Sequence, residues 1–163
     1  MKKLKFLLSI ISIILFFTAA VYLPYILFTK NLREIATLLQ PILNINPEKI
    51  PPITVIIDRD MNSILVAGII YTITALATSI VCYFKETYEN ILEVIKSILL
   101  TLFKALWLIG PNGIGIYVIK VPSIEILKTG IQITLDISII AAILLLLSIL
   151  EVITSVIQAK QTK

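Results

Sequence analysis

Four ionisable side chains stand inside stretches otherwise built of Ile, Leu, Val and Ala: Lys96 and Lys104 in one segment, Asp136 and Glu151 in another. A charge at membrane depth costs about 2.5–3.5 kcal/mol on insertion scales, so such residues mark either an ion or proton path or a pairing between helices. A path would need further ionisable or water-lining groups at mid-depth. Between Asp136 and Glu151 the residues are chiefly aliphatic, with Ala and Ser148. Pairing fits better. With the two segments as antiparallel helices and their midpoints aligned, Lys96 comes to the depth of Glu151 and Lys104 to that of Asp136. The offsets are about 4 and 7 Å at roughly 1.5 Å of rise per residue. The two carboxylates lie about 60° apart on their helix and the two lysines about 80° apart on theirs. One face of each helix can present both partners, and the expectation is two structural ion pairs, Lys96–Glu151 and Lys104–Asp136.

Other groupings carry less chemistry. Glu86, Glu89 and Glu93 share a helical face and could attract a cation, but a metal would need ligands from elsewhere; a solvated face is the plainer reading. The turn "GPNGIG" (residues 110–115) lacks the GxxxxGK[ST] spacing of a phosphate loop. The chain has no histidine, which removes the commonest metal ligand and general base and leaves the serines without an activating partner. Cys82 is the single cysteine. No intrachain disulfide can form, and within an apolar run the thiol reads as a small buried hydrophobe. The reading is no enzyme, no catalytic residue, no cofactor and no metal.

The elements that would position these residues follow from hydropathy. Hydrophobic residues make up 58% of the chain and charged residues 15%, with a mean hydropathy of +1.03. Soluble domains run at about 45–50% apolar and about 25% charged. The excess reads as lipid-facing surface. Residues 4–28 follow the basic cluster Lys2, Lys3 and Lys5 and continue past the signal-peptide-like Thr18, Ala19 and Ala20. That length reads as an uncleaved signal anchor, kinked by Pro24, with its basic end cytoplasmic. The cluster is a topology signal rather than a nucleic-acid site, which would need a broad basic face. Residues 63–84 are free of charge and form a second span, with Gly68, Ala67, Ala75, Ala77 and Ser79 as small contact surfaces. Residues 131–157 form another span. Between the first two, Leu32, Ile35, Leu38, Leu39, Ile42 and Leu43 recur at helical spacing as a short amphipathic interfacial helix, bent at Pro41.

Residues 91–110 pose the open question of topology. Glu86, Glu89, Asn90, Glu93, Lys96, Ser97, Thr101 and Lys104 fall on a stripe about 140° wide at roughly 100° per residue. The segment either lies in the interface or crosses with its stripe against protein. Crossing returns Lys160 and Lys163 to the cytoplasmic side and puts Trp107 in the far aromatic belt. It also places the loops 29–62 and 111–130 on one outer side, where the β-prone runs 53–57 and 114–121 could pair as a small sheet. In a three-span alternative those runs could not meet.

The expected fold is an all-α integral membrane protein: a four-transmembrane-helix bundle, one membrane domain over residues 1–163, both termini cytoplasmic, in the cell's plasma membrane. The expected role is a non-catalytic accessory subunit of a larger respiratory or transport assembly. Its partners would be other integral membrane subunits and lipids, in a hetero-complex rather than a homo-oligomer, with no nucleic acid. The alternatives are a small channel or carrier component and a self-assembling structural protein of an envelope or filament.

Overall fold

The computed structural model describes residues 2–43, 46–85, 88–122 and 130–161. The first apolar rod, Lys3–Thr29, is α1 (Lys2–Phe16), a π-helical stretch (Phe17–Tyr22) and α2 (Leu23–Thr29). The wide turn has a cause in the sequence. Pro24 offers no N–H to the carbonyl four residues back, and its ring crowds that carbonyl. The helix widens just ahead of it, with the Leu23 N–H reaching back to the Thr18 carbonyl. The kink expected at Pro24 is therefore a π-bulge. It turns Val21 into the protein, where the side chain is fully buried.

Helix α3 (Leu32–Leu43) follows, with Pro41 inside it. Asn31 and Glu34 start it reciprocally: the Glu34 N–H donates to Asn31 Oδ1 at 2.9 Å, and Asn31 Nδ2 donates to Glu34 Oε1 at 2.6 Å. Leu38, Leu39 and Ile42 stay exposed on it. Helix α4 (Met61–Phe84) is capped by Asp60, which accepts from the N–H groups of Asn62 at 3.1 Å and Ser63 at 3.2 Å. Helix α5 (Glu89–Leu108) passes into a short hairpin, β2 (Ile109–Gly110) and β3 (Gly113–Ile114), and then β4 (Ile116–Val121). Gly115 holds a left-handed backbone at φ +70°, and a Cβ there would lie 2.7 Å from the Ala141 Cβ. Only glycine lets the hairpin sit on the helix behind it.

One boundary differs from expectation. Residues 131–157 were expected to be a single span, but Ile131–Asp136 is strand β5 and the helix α6 runs Ser138–Gln161. The reason lies in "IQITLD": Ile131, Ile133 and Leu135 alternate with Gln132, Thr134 and Asp136, the period of a strand. Asp136 then caps α6, accepting from the Ser138 N–H at 2.9 Å and from the Ser138 hydroxyl. Strand β5 pairs antiparallel with β4, from Ile116 opposite Asp136 to Val121 opposite Ile131. On the other edge of β4, β1 (Ile56–Ile57) pairs with Lys120 and Ile119. The expected meeting of the runs 53–57 and 114–121 is present, and β5 adds a third strand to it.

Contacts fix how the long helices run. Phe6 stacks near Tyr83 with ring centroids 4.7 Å apart, Ser9 bonds Ser79 at 2.9 Å, and Phe16 meets Tyr71 edge-on at 5.0 Å. So α1 lies antiparallel to α4. Higher up, a Cβ on Gly68 would fall 2.5 Å from both methyls of Val21; the bare glycine permits this close approach. Ser97 of α5 bonds Ser155 of α6 at 3.2 Å and Thr101 bonds the Ser148 carbonyl at 3.3 Å, again antiparallel. One end of the bundle therefore gathers Lys3, Lys5, Lys85 and Lys160, and the other carries the sheet and α3. Among the described residues, three helices are long and apolar enough to cross a membrane: Lys3–Thr29, Met61–Phe84 and Ser138–Gln161. Helix α5 runs the length of the bundle between the last two.

Candidate functional site

The residues expected to pair across α5 and α6 meet in a different register. Lys104 donates to Ser148 Oγ at 2.9 Å and stands 3.9 Å from Glu151. Lys96 pairs with Glu93 one turn back on its own helix, at 2.5 Å. Asp136 lies before α6 as its cap and outside the helical span. The shift has one cause. With its first seven residues in β5 and the turn after it, the last helix starts later, and every residue on it slides past α5. Lys104 thus finds Glu151, the carboxylate expected for Lys96. The second half of the polar stripe of α5 is spent on this seam: Ser97, Thr101 and Lys104 all bond α6. Glu86 lies outside the described residues, so the three-glutamate face is seen only as Glu89 and Glu93.

At the sheet end sits a node the sequence reading passed over. Arg59 stands between Asp58 and Asp60 just ahead of α4, and its side chain is 1% exposed. Its Nε donates to the Trp107 carbonyl at 2.9 Å and its Nη2 to the Ile116 carbonyl at 2.8 Å. Its Nη1 donates to the Asp58 carbonyl at 3.0 Å and to Asp58 Oδ1 at 2.9 Å. The guanidinium carbon lies 4.3 Å from the centre of the Tyr117 ring. Tyr117 donates its hydroxyl to the same Trp107 carbonyl at 3.0 Å. Burial pushes this phenol above its ordinary range, against the opposing pull of Arg59, and so keeps it a donor. The Trp107 carbonyl is one of the four that every helix leaves unpaired at its C-terminus. Gly110 completes the node, since a Cβ there would collide with the guanidinium. Asn112 reaches across to Asp58 Oδ2 at 2.5 Å. The "GPNG" turn is thus a fitting around Arg59. An arginine between two aspartates at the mouth of an apolar span was the signal available in the sequence.

The opposite end opens into a cleft of about 520 Å3 between α1, α4 and α5. Lys5 and Ser9 come from α1, Thr78 from α4, and Glu89, Glu93 and Lys96 from α5. Helical spacing delivers each set: Lys5 and Ser9 lie four apart, and Glu89, Glu93 and Lys96 fall at intervals of four and three. Cys82 also lines the cleft, so the thiol is less secluded than expected from its apolar neighbours. Thr78 is 2% exposed, and among the described residues its hydroxyl has no hydrogen-bond partner. Lys96 is neutralised by Glu93; among the described residues neither Lys5 nor Glu89 has an ion-pair partner. Further along α1 and α4, Ile13, Tyr71 and Ala75 form a small buried apolar cluster. The arrangement can hold a polar group with charge of both signs. No family model, curated protein or solved structure matches the chain.

Proposed function

We propose that this chain is a four-span integral membrane protein of the plasma membrane, with both termini cytoplasmic, acting as a non-catalytic accessory subunit of a larger membrane assembly. The observation that carries the reading is the α5–α6 seam. Lys104 meets Ser148 and Glu151, so two of the four charges that would otherwise suggest a transport path are used in joining two helices. This supports α5 as a crossing helix whose polar side faces protein. The β1–β4 pairing adds support, since it requires the strand before α4 and the strand after α5 to share a side. The basic cluster Lys2, Lys3 and Lys5 in the first turns of α1 supports a cytoplasmic position for that end.

The surface supports the subunit role. Only 11% of the most apolar stretch of the first helix, and 11% of that of α6, is buried within the chain. Both present long apolar faces to lipid or to neighbouring spans, while α3 sets Leu38 and Ile42 at the outer interface. Purification of the full chain in mild detergent, with mass analysis of co-migrating polypeptides, tests the proposal. Stoichiometric unlike partners are expected. A ring of identical copies, together with ion flux lost on Glu151→Gln while assembly persists, would replace it with the channel reading.

A further inference from the structure

The cleft between α1, α4 and α5 has a charge pattern that selects a ligand class. Its walls hold two lysines and two glutamates, Lys5, Lys96, Glu89 and Glu93, and so carry no net charge. One pair is closed on itself, Lys96 with Glu93 at 2.5 Å. That leaves one cation on α1 and one anion on α5, facing a shared space and unbridged. An anionic group beside Lys5 would leave Glu89 opposing it, and a simple cation beside Glu89 would leave Lys5 opposing it. A group carrying both charges satisfies both walls. We propose that the cleft binds the phosphate–ammonium headgroup of a zwitterionic glycerophospholipid, with the phosphate toward Lys5 and the ammonium toward Glu89.

Three further features fit that ligand. The volume lies within the roughly 300–1,000 Å3 of small-ligand sites. The partnerless hydroxyl of Thr78, buried in the cleft wall, supplies a donor for a phosphoryl oxygen; buried polar groups without partners are costly and uncommon. On α1, Leu4 and Leu8 flank Lys5 and Ser9 and are 61% and 56% exposed, an apolar track for acyl chains leading away from the headgroup. That track favours a lipid over a soluble zwitterion. The inference rests on the bundle lying in a membrane and not on the accessory-subunit role.

Native mass spectrometry of the full chain, loaded from micelles with equal phosphatidylethanolamine and phosphatidylglycerol, reads the selection directly. Retention of phosphatidylethanolamine over phosphatidylglycerol is expected. Glu89→Gln and Lys5→Gln should each weaken it roughly five- to tenfold, the loss of one charge-assisted hydrogen bond at a partly exposed site. Thr78→Val, nearly isosteric, should weaken it about threefold while melting stays at the wild-type temperature or above. Equal retention of the two lipids overturns the proposal, as does unchanged retention in both Glu89→Gln and Lys5→Gln. Displacement of the lipid by equimolar soluble glycerophosphoethanolamine would reassign the site to a free headgroup and overturn the lipid assignment. All of these outcomes are independent of which polypeptides co-purify.

Discussion

Replacing Arg59 by methionine keeps most of the buried stem and deletes the guanidinium, which isolates the work done by its four hydrogen bonds. The acceptors left behind do not suffer equally. The Trp107 carbonyl keeps the Tyr117 hydroxyl, and the Asp58 carboxylate keeps Asn112. The Ile116 and Asp58 carbonyls lose a donor, and the carboxylate loses its counter-charge. A buried acceptor stranded in this way costs about 1–3 kcal/mol, and breaking one side of a buried ion pair costs about 3–5 kcal/mol. The two figures describe overlapping losses, so the expected destabilisation of Arg59→Met is about 3–5 kcal/mol rather than their sum. Equilibrium unfolding in mixed micelles measures it. The single tryptophan of the chain, Trp107, is a built-in probe, since its own carbonyl is in the node. Arg59→Lys should fall between, because an ammonium keeps the charge and loses the planar fork. In a double-mutant cycle, Asp58→Asn combined with Arg59→Met should cost less than the two single changes added together. An Arg59→Met protein within about 1 kcal/mol of wild type, less than one stranded buried acceptor should cost, would show that the node is not what holds the sheet to the helices.

Other parts of the structure make equally definite claims. Gly68→Leu should destabilise by about 1–3 kcal/mol through overpacking against Val21, and Val21→Ala should recover part of that in the same unfolding assay. Lys104→Met should cost about 1–2 kcal/mol, the lower end of a hydrogen bond to a charged group reduced for a side chain one-third exposed; no change would remove the seam from the argument for crossing. In a Cys82→Ser background, Lys160→Cys and Lys3→Cys should be labelled by an impermeant maleimide from one side and Glu48→Cys from the other. Labelling of Lys160→Cys and Lys3→Cys from opposite sides would rule out an even number of spans. The caps predict an acid limit. Hydrogen bonds from Ser63 hold Asp60, and those from Ser138 hold Asp136, below the ordinary aspartate range. Each carboxylate therefore adds stability that is complete above the unfolded aspartate pKa of about 4 and is lost as pH falls through the lower folded value. Melting temperatures of wild type should drop below pH 4 more steeply than those of an Asp60→Asn, Asp136→Asn double variant.

How far the sequence foretold this depended on which physical signal was asked for. Hydropathy alone located the three apolar rods, and the small residues foretold the close contact at Gly68. The β-prone composition of the runs 53–57 and 114–121 foretold the strand pair. Hydropathy failed at Ile131–Asp136, because a six-residue strand rich in Ile and Leu scores like a helix end. The period-two pattern was present there and was outweighed by the apolar run that follows. That single boundary carried the error into the site, since Lys96 and Lys104 were assigned partners by depth and depth is counted from where a helix starts. Arg59 was missed for another reason. Its importance comes from carbonyls at residues 107 and 116, and no local pattern reports which distant carbonyls a turn will leave unpaired.

The two polar ends of the bundle also differ in what they leave unused. Arg59 has spent four of its five N–H groups on protein acceptors and is shut from solvent. It has almost nothing left to offer a ligand, so its chemistry ends in holding the sheet on the helices. The seam between α5 and α6 is similar, with Lys104 answered by Ser148 and Glu151. Lys5, Glu89 and Thr78 have made no such commitments, and they converge on one cleft from three helices. A buried hydroxyl without a partner, such as that of Thr78, is costly and uncommon in a native fold. Its convergence with Lys5 and Glu89 on one cleft is best explained by something that occupies the cleft. Simultaneous replacement of Lys5, Thr78 and Glu89 by Met, Val and Met should accordingly leave the fold as stable as wild type or more so, while abolishing headgroup retention; a loss of folding instead would make the three residues structural.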